Sequence, residues 1–484
     1  NRINTQEKTK VEGDLREAVF QMEQHNLIKT EGIVGLDKDL MIKATFITTE
    51  DDAANVFNWL VNFSPYELLE EEYKKSKKLP LQDIIIVAFN NWTCNDPYYT
   101  NIGSPQLALV DEKHNVIFNL GMRYFGERKK GTLTLAWTSG MRLNMAACHG
   151  GIKEIDFSRC EDESYHSLGN RSIAFYGLSG TGKSSHTNSA DNAGTLPKGF
   201  KKVILHDDAF QIDTENRLCR VWEPSLFDKT DSRDLDHPDW HYCISLMNHA
   251  LINRDGKILP LGLDVRQANG RAILDRDLLG NWVNRCSFPK ALAWLMKDNA
   301  LPPLIKYQDS SLAVAMGAAL ITKRNRAENV KEEDLGKLVF EPFANPFRVY
   351  ELHKDIAAFK HVIEVGAECY TFNSSAYWRS SEDDLEDIKL NDSLALQTAI
   401  LTDKLEWETW DVLPGAMLPS KASVEKIIPD YYSKYDPSNR KNLENYLALL
   451  KDRFEQRKNF LLNSDLKSKP ELLDKLVKSL KIIG

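Results

Sequence analysis

Eight consecutive residues carry the clearest chemistry in this chain: Gly177-Leu178-Ser179-Gly180-Thr181-Gly182-Lys183-Ser184. They fit the pattern G-x-x-x-x-G-K-S/T in full. Glycines at this spacing let successive backbone N–H groups converge on phosphate oxygens without Cβ clashes. The helix expected just after the glycines turns its positive end towards the anion. Lys183 has the reach to meet the β and γ phosphates, the Ser184 hydroxyl suits Mg²⁺, and Ser185 extends the same binding segment. A plain glycine-rich surface turn is the alternative, and it would not need the lysine. Asp207 and Asp208 close the next apolar run, and carboxylates at a strand end beside such a loop hold Mg²⁺ or its waters. A helix cap or solvated turn is the plain alternative for that pair, and Asp208 is the preferred member. The chemistry expected is binding of a nucleoside triphosphate, ATP first, with a divalent metal.

The flanking sequence has the elements such a loop needs. Ser172-Ile173-Ala174-Phe175-Tyr176 is a compact strand running directly into the glycines, and a small helix is expected from Ser184 onward. Val203-Ile204-Leu205 is the next strand, ended by His206-Asp207-Asp208. A hairpin is expected over Phe210 to Val221, turning at Asp213 to Asn216. Upstream, residues 1 to about 80 read as mainly helical and charged. Val56, Phe57, Leu60 and Val61 share one expected helix face, and Pro65 interrupts it. Asp83 to Phe89 reads as a buried strand, Leu107–Val110 with Asn115–Leu120 as a hairpin, and Thr132 to Trp137 as a further short strand. Lys257 to Leu259 reads as a short strand ended by Pro260. Downstream, Asp309 to Ile321 suits an Ala-rich packed helix. Phe347–Val349, a helix from Lys354 to Val365 and Glu368–Phe372 form an alternating α and β passage. Leu443 to Phe460 has helical amphipathic spacing.

Bulk composition narrows the class. The chain has 484 residues, 42% hydrophobic and 27% charged, enough for a substantial core and for two lobes. The net charge of -8 lowers the prior for nucleic acid, although Arg128-Lys129-Lys130 and Lys323-Arg324-Asn325-Arg326 are local basic clusters suited to a small ligand's phosphates. Seven scattered cysteines without a C-x-x-C pair argue against a disulfide scaffold or structural zinc. No signal-peptide pattern and no run of about 18 apolar residues is visible, so a cytoplasmic protein with a small-molecule substrate, no nucleic acid and no membrane is expected. The expected assembly is a monomer or small homo-oligomer.

The loop, read as Tyr176-Gly177-Leu178-Ser179-Gly180-Thr181-Gly182-Lys183-Ser184-Ser185, resembles that of ATP-dependent phosphoenolpyruvate carboxykinase, F-G-L-S-G-T-G-K-T-T. Arg123-Tyr124-Phe125-Gly126-Glu127-Arg128-Lys129-Lys130-Gly131 is similar to that family's W-Y-G-G-E-M-K-K-G. Cys148-His149 resembles the start of its M-H-C-S-A-N site, and Asp207-Asp208-Ala209-Phe210 resembles its D-D-E-H. Ala268-Asn269-Gly270-Arg271 resembles its E-N-T-R. Leu301-Pro302-Pro303 and Val412-Leu413-Pro414-Gly415 are weaker echoes. The resemblance spans roughly residues 80 to 460. It implies an α/β fold of the carboxykinase kind, in two lobes: an N-terminal substrate-side domain over 1–165 and, over 166–484, a P-loop domain with a mixed sheet that binds nucleotide and metal. It further implies that Lys130, His149 and Asp208 hold Mn²⁺, with Ser184 and Asp207 beside Mg²⁺. Lys129 and Arg271 would face the transferring phosphoryl group, and Tyr124 would line the substrate pocket. Standing alone, His149 reads as a packed histidine, Lys129-Lys130 as a solvated edge, Arg271 as a surface residue and Tyr124 as core. Their order beside a phosphate loop singles them out.

Four departures bear on the acceptor. The family's G-R-S-P-K-D-K motif is absent before residue 100, and Gly35-Leu36-Asp37-Lys38-Asp39 lacks its arginine, whose bidentate fork a lysine replaces poorly. The residues after the aspartate pair are Ala209 and Phe210. The base-flanking G-K-R-I-S-I-K-D-T-R becomes Leu385 to Leu394 without either arginine. The stretch after His149 becomes Gly150-Gly151-Ile152-Lys153. The expectation is ATP-dependent phosphoryl transfer as in the carboxykinase, with Arg123, Arg142 or Arg266 taking the carboxylate. The alternative is a kinase of the same fold acting on another small metabolite or, last, on a protein; a nucleotide-binding regulatory module is the non-enzymatic reading.

Overall fold

The computed structural model describes residues 5–101, 104–178, 180–189, 192, 194–230, 238–260, 270–276, 280, 282–323, 337–381 and 383–483. The chain forms two compact units, one from residues 1–139 with 222–279, the other from 140–221 with 280–484. Both are α/β with mixed sheets.

The first unit holds a five-stranded sheet in the order Leu27–Asp37, Leu40–Thr49, Ile84–Phe89, Val116–Leu120, Leu107–Asp111. Its outer pairs are antiparallel and its two inner pairs parallel. The N-terminal stretch is helical for the larger part, as expected, but two unexpected strands follow the first helix, Thr5–Met22. β-branched residues such as Ile28, Thr30, Ile42, Thr45 and Ile47 favour this pleated arrangement. A turn at Gly35 (φ 87°) and Asp37, whose Oδ1 accepts from the Asp39 N–H at 3.0 Å, joins the two strands. The helix expected to carry Val56 to Val61 is Ala53–Phe63, and past the interruption at Pro65 a second helix, Tyr66–Lys75, follows. Its inner face is Val56, Trp59 and Phe63, while Phe57 is 53% exposed. Trp59 packs close on Gly32 and donates its ring N–H to Thr132 Oγ1 at 3.0 Å. A small sheet, Ser225–Lys229, Arg271–Asp275, Cys243–Met247, completes the unit.

Thr132–Trp137, expected as a strand, lies inside the helix Phe125–Arg142. Threonine content misleads there because the helix itself satisfies the hydroxyls. Thr132, Thr134 and Thr138 donate to the carbonyls of Arg128, Lys130 and Thr134, at 2.8, 2.8 and 2.7 Å.

The second unit is organised on an eight-stranded sheet. Its order is Lys201–His206, Gly151–Asp156, Asn170–Tyr176, Pro289–Met296, Glu368–Asn373, Leu304–Tyr307, Ala416–Pro419, Trp407–Thr409. The central strands Asn170–Tyr176, Pro289–Met296 and Glu368–Asn373 run parallel. A four-stranded antiparallel sheet, Arg285–Ser287, Leu218–Val221, Ala209–Asp213, Ala146–His149, lies in the same unit. The hairpin expected over 210–221 is its middle pair. The Ala-rich segment forms the helix Ser310–Ala318, capped by Asp309 Oδ1 accepting from the N–H groups of Ser311 and Leu312. Phe347–Val349 forms no strand; it leads irregularly into the helix Leu352–Glu364.

Candidate functional site

The strand Asn170–Tyr176 is buried from Ser172 onward and delivers the chain into the glycine loop from the middle of the large sheet. Gly177 sits where an added Cβ would come within 2.2 Å of Thr181 Oγ1 and 3.0 Å of Leu295 Cβ. Gly180 and Gly182 take φ of 81° and 88°, in the left-handed region where a side chain is costly. Thr181 is buried and ties the loop to itself, its hydroxyl donating to Leu178 O at 2.8 Å and its N–H to the same oxygen at 3.1 Å. The helix Lys183–Asn188 follows directly, with Gly182 as its cap residue. Ser184 and Ser185 are exposed on its first turn. Ser179 lies outside the described residues.

Three of the expected side chains meet at the end of this loop. Lys183 Nζ stands 3.7 Å from Asp208 Oδ1, and His149 Nε2 stands 3.1 Å from the same oxygen. The three side chains are 14%, 16% and 10% exposed, so the group is largely desolvated yet open. Asp207 is half-buried beside them in sequence. The backbone brings His149 and Asp208 together: the strands Ala146–His149 and Ala209–Asp213 pair His149 with Ala209, and the Gly150 N–H donates to Asp208 O at 3.0 Å.

Two residues that the sequence reading missed hold this group in place. His206 is buried against Trp282, and its Nδ1 accepts from the N–H groups of both Asp208 and Ala209 at 3.0 Å. The backbone carbonyl of Ala344 lies 2.5 Å from His149 Nδ1. A carbonyl only accepts, so Nδ1 carries a proton, and Nε2 is the ring nitrogen that faces Asp208. Phe343 and Ala344 reach this geometry with φ of 52° and 54°, a strained pair of left-handed residues, and Phe347 meets the His149 ring edge-on at 5.4 Å. A histidine directly before the aspartate pair was a visible signal for His206. Ala344 offers none, being 195 residues from its partner.

The donor set fits a divalent cation. An imidazole lone pair and a carboxylate oxygen 3.1 Å apart repel unless a positive charge joins them, either a proton on Nε2 or a metal ion. Neutral imidazole and carboxylate are ordinary ligands for such an ion. Among the described residues, no group of three or more His, Cys, Asp and Glu side chains is assembled for a metal. An ion held here would complete its shell with ligand oxygens and water, as Mg²⁺ does beside nucleotides.

Tyr124, Lys129, Lys130, Arg123 and Arg271 belong to the first unit. Tyr124 folds over Gly126, where a Cβ would lie 2.2 Å from the Tyr124 ring. Lys129 is fully buried and paired with Glu223 at 2.9 Å, and its ammonium lies 5.4 Å from the centre of the Phe227 ring. The Arg271 guanidinium stands 6.0 Å from the centre of that same ring, so two residues far apart in sequence converge on Phe227. Glu223 also accepts from Asn62 Nδ2 at 2.6 Å. Lys130 is half-buried, 6.0 Å from the Trp137 ring. Arg123 is mostly exposed and donates to Asn91 Oδ1 at 2.7 Å. Arg142 is exposed and belongs to the second unit. Ala268, Asn269 and Arg266, like Arg324, Asn325 and Arg326, lie outside the described residues.

Comparison with known proteins bears on the first part of the chain. A family model described as phosphoenolpyruvate carboxykinase matches residues 1–213. The matched stretch contains Tyr124, Lys129, Lys130, His149, the whole phosphate loop and Asp208; Arg271 and the segment 385–394 lie beyond it. The match supports an enzymatic phosphoryl-transfer role at family level for that region. No curated protein matches the chain. Among the described residues, no helix is long and apolar enough to cross a membrane.

Proposed function

We propose that this chain is an ATP-dependent phosphotransferase whose first-choice reaction is that of phosphoenolpyruvate carboxykinase. Oxaloacetate loses carbon dioxide, and the enolate oxygen so formed takes the γ-phosphoryl group of ATP, giving phosphoenolpyruvate and ADP. The observation that carries this reading is the meeting of Lys183 and His149 on Asp208 Oδ1 at the mouth of a glycine loop. Backbone N–H groups of the loop would cradle the β and γ phosphates, and Lys183 would neutralise charge as the γ-phosphoryl group leaves. His149, through Nε2, and Asp208 would hold Mn²⁺, and Ser184 with Asp207 would serve Mg²⁺. The metals supply charge neutralisation and fix the phosphate geometry. Arg271 is the proposed cation for the transferring group on the acceptor side, with Tyr124 shaping that side.

A second reading, transfer to a different small metabolite, is favoured by one observation. The segment nearest to the family's substrate-arginine motif, Gly35 to Asp39, is spent on a tight turn between two strands and has no arginine to offer. An assay with oxaloacetate, ATP, Mg²⁺ and Mn²⁺ separates the two readings. Phosphoenolpyruvate formation supports the first; ADP release that depends on another carboxylic acid or polyol supports the second. Lys183→Ala should lower either turnover by about two to three orders of magnitude, and wild-type turnover in that variant would remove the assignment altogether.

A further inference from the structure

The helix that starts the phosphate site is six residues long, Lys183–Asn188. A helix this short does not hold itself, because nucleation consumes most of what its few hydrogen bonds return. Its last carbonyls also need partners from outside the helix. Two lysines from neighbouring strands supply them. Lys153, on the strand Gly151–Asp156, is fully buried, and its Nζ donates to His186 O at 2.7 Å, Asn192 Oδ1 at 2.6 Å and Ser189 Oγ at 3.2 Å. Lys202, on the strand Lys201–His206, donates to Asn188 O and Ser189 O, both at 2.9 Å.

We propose that Lys153 and Lys202 are positioning residues of the phosphate site, a pair of lysines whose donors collar the C-terminal end of the loop helix and so hold Lys183 and Ser184 at its other end. The three acceptors around Lys153 match the three donors of an ammonium group. Burial, and after it the neighbouring charge of Lys202, pushes the Lys153 pKa well below the usual lysine value, so the position is costly unless the contacts are used. Donors at a helix C-terminus satisfy its orphan carbonyls, and the helix presents the N–H groups of its other end to phosphate. Next to Lys153, Gly151 admits the helix closely: a Cβ there would lie 2.1 Å from Thr187 Oγ1. The strand thus seats the helix through one small residue and clamps it through one long one.

This inference rests on the reading of the loop as an ATP site, and the experiment keeps the two apart. Binding of Mg²⁺ with a non-hydrolysable ATP analogue is measured by calorimetry, beside the thermal midpoint, for Lys153→Met, Lys202→Met, Lys202→Arg and Glu154→Gln. Glu154 points to the opposite face of the same strand, where it accepts from Ser287 N at 2.8 Å and Asn170 Nδ2 at 3.1 Å; it serves as the structural comparator. Lys153→Met should weaken binding by about tenfold to thirtyfold and Lys202→Met by about twofold to fivefold, with Lys202→Arg restoring affinity. Glu154→Gln should lower the midpoint and leave affinity unchanged. Should Lys153→Met not fold, the half-buried Lys202 pair decides alone. Unchanged affinity in Lys202→Met, or an equal loss in Glu154→Gln, overturns the inference. Absence of binding by the wild-type protein would instead overturn the ATP-site reading itself.

Discussion

Replacing Gly177 with alanine is the sharpest perturbation of the loop that leaves its chemistry untouched. The new methyl would lie 2.2 Å from Thr181 Oγ1, well short of the 3.4 Å at which ordinary contact begins. Thr181 cannot simply swing away. It is 1% exposed, and its hydroxyl is committed to Leu178 O at 2.8 Å. Rotating it would give up that bond and would still leave the methyl 3.2 Å from Thr181 Cβ and 3.0 Å from Leu295 Cβ. Overpacking of this kind costs about 1–3 kcal/mol and the lost hydroxyl bond about 1 kcal/mol, so a destabilisation of about 2–4 kcal/mol follows. The cheaper escape is for the loop to shift outward by about an ångström, and misplacement on that scale costs about a hundredfold in function. Urea unfolding and calorimetric titration with Mg²⁺ and a non-hydrolysable ATP analogue read both effects. Gly13→Ala, in the helix Thr5–Met22 with no atom of the described residues within 4 Å of its added Cβ, is the control and should stabilise by about 0.5–1 kcal/mol. If Gly177→Ala unfolded at the wild-type midpoint and bound within twofold, the packing of Thr181 and Leu295 would not be what shapes the loop.

Three further predictions concern separate parts of the molecule. His149→Gln should weaken Mn²⁺ binding by at least about tenfold, as read from the electron paramagnetic resonance of free Mn²⁺; wild-type affinity would remove His149 from the ligand set. Burial holds the His186 ring down at about 4, and its Nε2 has no hydrogen-bond partner among the described residues, so the native state keeps it neutral. A lowered histidine stabilises above its unfolded value and is lost as pH falls from about 6.5 to about 4, at up to about 1.4 kcal/mol per pH unit. His186→Asn should flatten that part of the stability profile, and an unchanged profile would refute the assignment. Glu223→Gln removes the carboxylate charge that faces the buried Lys129 ammonium and should cost about 3–5 kcal/mol in urea unfolding; a loss below about 1 kcal/mol would mean that this pair does not hold the segment.

The loop itself was legible because its information is local. Glycine spacing, the lysine and the preceding apolar strand all sit within a few residues of one another. His149 was singled out only by likeness to a family motif and Asp208 by its place at a strand end beside the loop, and nothing within either segment reveals that they meet. Elements failed where local composition admits two readings. Thr132–Trp137 is rich in β-branched residues, yet its hydroxyls fold back onto the helix. The strands between Leu27 and Thr49 were hidden by charges such as Glu31 and Lys43, which pair across the sheet at 2.8 Å on its solvent side. The supports of the site were least legible. Ala344 acts through a backbone oxygen, and Lys153 acts on a helix that begins 30 residues later. Only the assembled sheet brings such partners within reach.

The parallel pairing of Asn170–Tyr176 with Pro289–Met296 has a consequence for the order in which the protein becomes competent during synthesis. When the loop first leaves the ribosome, its strand can pair only with Gly151–Asp156, and Leu295, which packs beside Gly177, does not yet exist. Meanwhile the growing chain must supply residues 222–279 to the other unit before it returns. Closing so long a connection is slow, and until it closes the glycine segment lacks one wall. A nascent chain stopped before residue 289 should therefore carry the full eight-residue motif and still fail to retain nucleotide.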